Sequence, residues 1–148
     1  MRLPPKVTRR RLAGPDHAVA TLEGGAKLYR REPCATCPWR VDTVGEFPAE
    51  AFRHSANTAL DAVAAILHGR LGDASHLFAC HESGAEKPAT CAGYILGGDQ
   101  SIGWRIALAL NLFDPREVRS DVPLFDSYRA MAIANGVPPD DPALEGAT

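Results

Sequence analysis

Between Pro48 and Gly69 apolar residues recur at intervals of three and four: Phe52, Ala56, Leu60, Val63, Ala64 and Leu67. That spacing gathers them on one helical face. Pro48 suits a first helical turn, where the N–H it lacks would have no helical partner. The spacing therefore predicts a helix from Pro48 to about His68, stopped at Gly69. A second helix is predicted from a cap at Asp99 or Ser101 to about Leu112. Ile102, Ile106, Leu110 and Phe113 share one of its faces, and Trp104, Leu108 and Leu112 populate the other, as in a helix buried on both sides. A third fits Pro123 to Asn135, with Asp121 as its cap, Gly136 past its end, and Leu124, Tyr128 and Met131 facing inward. Between the first two helices lie two short apolar pieces, Leu77-Phe78-Ala79 and Cys91 to Leu96, separated by the polar loop Glu82 to Thr90. They read as short strands or as extended rails. The expected fold class is mainly α with a few short strands.

The ends of the chain are patterned differently. Residues 1–30 contain Pro4-Pro5, the run Arg9-Arg10-Arg11 and the turn signals Gly14-Pro15 and Gly24-Gly25, which predict a flexible basic arm. Met1 to Ala13 holds five basic residues and no acidic one. Arg9, Arg10 and Arg11 are candidate phosphate contacts; a solvated tail is the simpler reading, since no aromatic residues interleave the charges. Residues 138–148, opening on Pro138-Pro139-Asp140-Asp141-Pro142, predict a flexible tail, which leaves 31–137 as the globular domain. The chain of 148 residues, 45% hydrophobic and 23% charged, is long enough to bury its own core. Its formal charge of −2 implies no general attraction to nucleic acid or acidic membranes. No apolar run approaches the roughly 20 residues of a membrane span. The N-terminus has no apolar stretch behind its charges, so no secretory signal is expected and a cytoplasmic location is.

In that setting thiols stay reduced, and paired cysteines read as metal ligands or redox groups. Cys34 and Cys37 are two residues apart, so one tight turn can aim both sulfurs at a single ion or at neighbouring irons. A loop must bring Cys80 and Cys91 to them. Four thiolates complete a zinc site or a [4Fe–4S] cluster, and the domain is expected to be organised around such a four-cysteine metal site. The residues after Cys37, Pro38 and Trp39, differ from the glycine usual in a zinc knuckle, while cysteine followed by proline is familiar in ferredoxin-type sites. The two metals stand nearly level. His81, beside Cys80, is a candidate substitute ligand or a donor to a ligand sulfur. Trp39 and Arg40 are the expected surroundings, the arginine offsetting thiolate charge or pairing with a surface carboxylate. His54, His68 and His76 show no ligand spacing with the cysteines.

Cys34-Ala35-Thr36-Cys37 also matches a thiol–disulfide oxidoreductase pair. Such a pair wants a buried strand before it and a helix N-terminus at its first cysteine, and the preceding Lys27 to Glu32 is mostly polar. The chain has no phosphate-binding glycine loop, no Gly-x-Ser-x-Gly elbow and no His-Glu-x-x-His.

The ordered set Pro33-Cys34-x-x-Cys37-Pro38-Trp39-Arg40, Phe78-x-Cys80-His81 and Cys91-Ala92-Gly93-Tyr94 resembles an uncharacterised family of small proteins found in actinobacteria and their phages. Met131 to Val137 is similar to that family's C-terminal segment. The resemblance spans about Pro33 to Pro142 and leaves the basic arm outside. It implies a metal at Cys34, Cys37, Cys80 and Cys91 and no established activity. The expected function is that of a small metal-binding protein acting as a binding or regulatory module that contacts nucleic acid or a protein partner of the transcription machinery. An iron–sulfur enzyme or redox sensor is the alternative from another class.

Overall fold

The computed structural model describes residues 3–24, 28–70, 72 and 76–148. Its first feature is one the sequence pattern did not predict. Strands β1 (Lys6–Gly14) and β2 (His17–Glu23) pair antiparallel around Pro15-Asp16. Proline presets the backbone angle of a turn at this position, and the register pairs Arg9 with Thr21, Arg10 with Ala20, Arg11 with Val19 and Leu12 with Ala18. The segment expected as a flexible arm is thus a ribbon, docked on the body at its turn end. His54 Nε2 lies 3.0 Å from the Leu12 carbonyl, Arg11 donates to the His54 carbonyl, and the His17 and Phe47 rings meet edge to face.

The chain is 35% helical and 18% strand, which corrects the mainly α expectation to a mixed fold in one small domain. Two-residue strands β3 (Leu28–Tyr29) and β4 (Ala89–Thr90) pair in parallel. The helices are short: α1 (Ala49–Ser55), α2 (Ala62–Leu67), α3 (Ala92–Gly97), α4 (Ile102–Ala109) and α5 (Tyr128–Ala134). Among the described residues no helix is long and apolar enough to cross a membrane.

The single helix expected from Pro48 to His68 is two. After α1 the chain tightens into a 3₁₀ turn, Ala56–Ala59, and Leu60 is extended. Side chains compete with helical bonds here: Ser55 and Thr58 hydroxyls donate to backbone carbonyls, and the Asp61 carboxylate accepts the Val63 N–H to start α2. Distant segments take the freed backbone groups. Ile102 N–H donates to the Leu60 carbonyl, Asp61 N–H to Gly146 and Thr148 N–H to Ala59. The expected faces shift accordingly. On α2, Ala64 and Ala65 are buried while Val63, Ile66 and Leu67 are exposed; α4 buries Gly103 and Ala107 and leaves Leu110 outward.

The residues after Val137 do not form a separate tail. Leu144 is fully buried, the Asp141 carboxylate caps the 3₁₀ turn Pro142–Leu144, and Asp141 pairs with Arg53 at 3.0 Å.

The core is aromatic. Trp39 is wholly buried, with the rings of Phe78, Tyr128 and Tyr94 at 6.0, 6.1 and 6.2 Å in edge-to-face arrangements. Helix α3 reaches this indole because Gly93 and Gly97, one turn apart, have no side chain: a Cβ would stand 2.4 Å from Trp39 Cβ at the first and 2.8 Å from Trp39 Cζ3 at the second. Tyr94 donates to the Thr58 carbonyl and meets the Ser101 hydroxyl at 2.9 Å.

Candidate metal centre

The two halves of the cysteine set are positioned by different devices. Cys34 to Arg40 makes consecutive turns, with Cys37 N–H donating to the Cys34 carbonyl and Arg40 N–H to that of Cys37; the Thr43 hydroxyl closes on the Cys37 carbonyl at 2.8 Å. Cys80 and Cys91 lie across an antiparallel bridge between Ala79 and Thr90, flanked by Cys80 N–H to Ala89 and Cys91 N–H to Phe78. The intervening loop is pinned by Ser83, whose hydroxyl donates to the Cys80 carbonyl and accepts from Ala89 N–H. Cys91 is also the residue from which α3 starts.

The sulfurs associate two by two. Cys37 and Cys91, both buried, stand 3.6 Å apart, sulfur to sulfur. The Cys91 thiol donates to Cys37, and the backbone N–H groups of Trp39 and Gly93 together with the charge of Arg40 add to this, so the Cys37 thiol is held below its ordinary pKa. Cys91 is driven well above its own by that hydrogen bond and by burial. Cys34, half-buried, has the Cys80 thiol as its neighbour, and burial first, then the Cys80 and Cys37 charges, push it up to about 12.

Cys34 also faces His81 and Glu82. The His81 Nδ1 lies 4.0 Å from the Cys34 sulfur, its Nε2 lies 2.7 Å from the Thr36 hydroxyl, and that hydroxyl donates to Glu82 at 2.8 Å. Burial lowers the pKa of His81, favouring the neutral imidazole that a metal requires. Among the described residues, Cys34, His81 and Glu82 are the group whose ligand atoms all lie within 4.8 Å of one another. The four sulfurs do not close into one tetrahedron, which corrects the expectation of a domain organised around a four-cysteine site. Trp39 and its aromatic neighbours occupy the centre instead, and the thiols flank it. Both the four cysteines and the Cys34–His81–Glu82 group present donors that can hold a metal ion.

The chain matches the model of a family of unknown function, DUF6283, over residues 29–147. It belongs to that family. The DUF6283 stretch contains every cysteine, His81 and Glu82, and starts after the β1–β2 ribbon. No curated protein and no solved structure matches the chain.

Of the predicted surroundings, Trp39 is the core residue behind Cys37. Arg40 forms a two-pronged pair with Asp42 at 2.7 and 2.6 Å, while its charge still reaches Cys37. Glu82 and Thr36 were not singled out from sequence as site residues; their signal was adjacency, one beside His81 and the other between the paired cysteines. No helix begins at Cys34, and the closest thiol partner of Cys37 is Cys91 rather than Cys34. Arg9, Arg10 and Arg11 lie on β1 and are not among the groups that face the thiols. Beside Cys34 a groove of about 610 Å³ opens between Arg30, Arg31, Arg119 and Glu82, so solvent reaches the outer half of the site.

Proposed function

We propose that the chain is a metal-binding module whose thiols hold a single zinc ion and fix the Cys34 turn, the Cys80–Cys91 bridge and the start of α3 to one another. The observation that carries this is the 3.6 Å separation of the Cys37 and Cys91 sulfurs. Sulfurs held about 2.3 Å from one zinc in a tetrahedron stand about 3.8 Å apart. Thiolates on separate irons of a cluster stand farther apart, so this spacing favours one shared ion over [4Fe–4S]. Binding would draw Cys34 and Cys80 in from their own pairing to complete the shell, with His81, 4.0 Å from the Cys34 sulfur, as a substitute. The ion would neutralise the thiolate charge that burial opposes in its absence. A thiol-bound ion that ties these segments together supports a binding or regulatory role in a reducing, cytoplasmic setting.

The test is elemental analysis and a visible spectrum of protein purified without oxygen. One zinc per chain and a colourless solution are expected. Cys34→Ser, at the half-exposed ligand, should lower zinc affinity while leaving the far-UV spectrum intact. A brown protein containing iron and sulfide would establish the cluster instead, and a metal-free protein that takes up no zinc would remove the reading.

A further inference from the structure

The formal charge of −2 conceals a segregation. Residues 1–28 carry six basic and two acidic side chains; residues 29–148 carry ten basic and sixteen acidic. Ion pairing follows the same boundary. In the body Arg31 meets Glu117, Arg40 meets Asp42, Arg53 meets Glu50 and Asp141, Arg116 meets Asp114, and Arg119 meets Glu32. On β1, the side chains of Arg9 and Arg10 have no hydrogen bond or ion pair among the described residues, and that of Arg11 has only a backbone carbonyl. Lys6 stands opposite Glu23 in the register, so the unbalanced charge rests on the three arginines.

The ribbon fixes how these charges are displayed. Arg9 and Arg11 share one face, and Arg10 lies on the other, beside the small Ala18 and Ala20. Over Lys6 to Arg10 every side chain is exposed, so both faces of that stretch are open. We propose that the β1–β2 ribbon binds duplex DNA by entering the major groove, with Arg9 and Arg10 meeting phosphates of the two groove walls. That groove, about 12 Å wide, admits a two-stranded ribbon, whereas the deep, narrow major groove of duplex RNA does not. A lipid surface would call for cations gathered on one side of the element, and here they alternate. The acidic body repels phosphate and so orients the approach through the ribbon. The inference stands on residues that precede the family match and is independent of the metal reading.

The test uses the full chain and a fluorescently labelled duplex of about 20 base pairs, with binding read by anisotropy between roughly 50 and 200 mM salt. Saturable, strongly salt-dependent binding is expected. Arg9 and Arg10 support no internal contact, so the double variant R9Q/R10Q should keep the parent's melting temperature. It should bind at least tenfold more weakly at the lowest salt, and its log–log salt slope should be shallower by about 1.8, near 0.9 for each phosphate no longer neutralised. The body variant R116Q/R119Q and the ligand variant Cys34→Ser should bind like the parent, which separates this outcome from failure of the metal reading. The proposal is overturned by absence of saturable binding at the lowest salt, by an R9Q/R10Q variant that binds like the parent, or by equal affinity for single-stranded DNA or phosphatidylserine vesicles.

Discussion

Substituting Gly93 by alanine sets two effects against each other. Helix propensity alone would stabilise α3 by about 1 kcal/mol. Against that, the new Cβ would lie 2.4 Å from Trp39 Cβ and 2.7 Å from Trp39 Cγ. These atoms are the root of the indole, and Trp39 is fully buried with aromatic rings on three sides, so it cannot swing aside. Overpacking of this kind costs about 1–3 kcal/mol, and contact with so rigid a neighbour falls at the upper end. The expected net loss is about 2 kcal/mol. With a urea slope of roughly 1–3 kcal/mol per molar, the unfolding midpoint should fall by about 1 M. Chemical denaturation followed by far-UV circular dichroism measures it. The perturbation should also reach the thiols, because the Gly93 N–H stabilises the Cys37 thiolate and Cys91 starts the same helix. A Gly93→Ala protein with an unchanged or higher midpoint would show that α3 is not seated on Trp39 as described.

Two further outcomes follow from side chains that hold backbone ends. Ser101, fully buried, caps α4 through Trp104 N–H and meets the Tyr94 hydroxyl, so Ser101→Ala should cost about 1–2 kcal/mol in thermal denaturation; an unchanged melting temperature would contradict the cap. The Asp141 carboxyl is held below its ordinary pKa of 3.8, first by the Ala143 N–H and then by Arg53. A depressed carboxylate contributes stability that is full above its unfolded pKa and disappears as pH falls through the folded one. Melting temperatures from neutral pH to below pH 4 should therefore fall less steeply in Asp141→Asn, which keeps a capping oxygen but cannot titrate; parallel curves would refute the assignment.

Most of the candidate donors were legible because they sit in short local motifs: a two-residue cysteine spacing, and His81 beside Cys80. Their grouping was not, because Cys37 and Cys91 meet across 54 residues through the Ala79–Thr90 bridge. The ribbon was hidden because arginines occupy both of its faces, which erases the apolar–polar alternation that announces a strand; Pro15-Asp16 was the surviving sign. The pattern of Cys91–Leu96 predicts a strand or rail, whereas Ala92–Gly97 is a helix whose glycines serve Trp39 rather than propensity. The break between α1 and α2 had a local mark, Asp61 as a cap, but the partners that stabilise it lie far along the chain.

That break bears on the order of folding. The Ala59 carbonyl receives both the backbone and the hydroxyl of Thr148, 89 residues away, and Leu60 bridges to Ala147. Closing so long a loop costs entropy before any contact repays it. The turn at Leu60 should therefore set after the aromatic core has condensed, and a weakened Thr148 contact should show mainly as faster unfolding with little change in the folding rate.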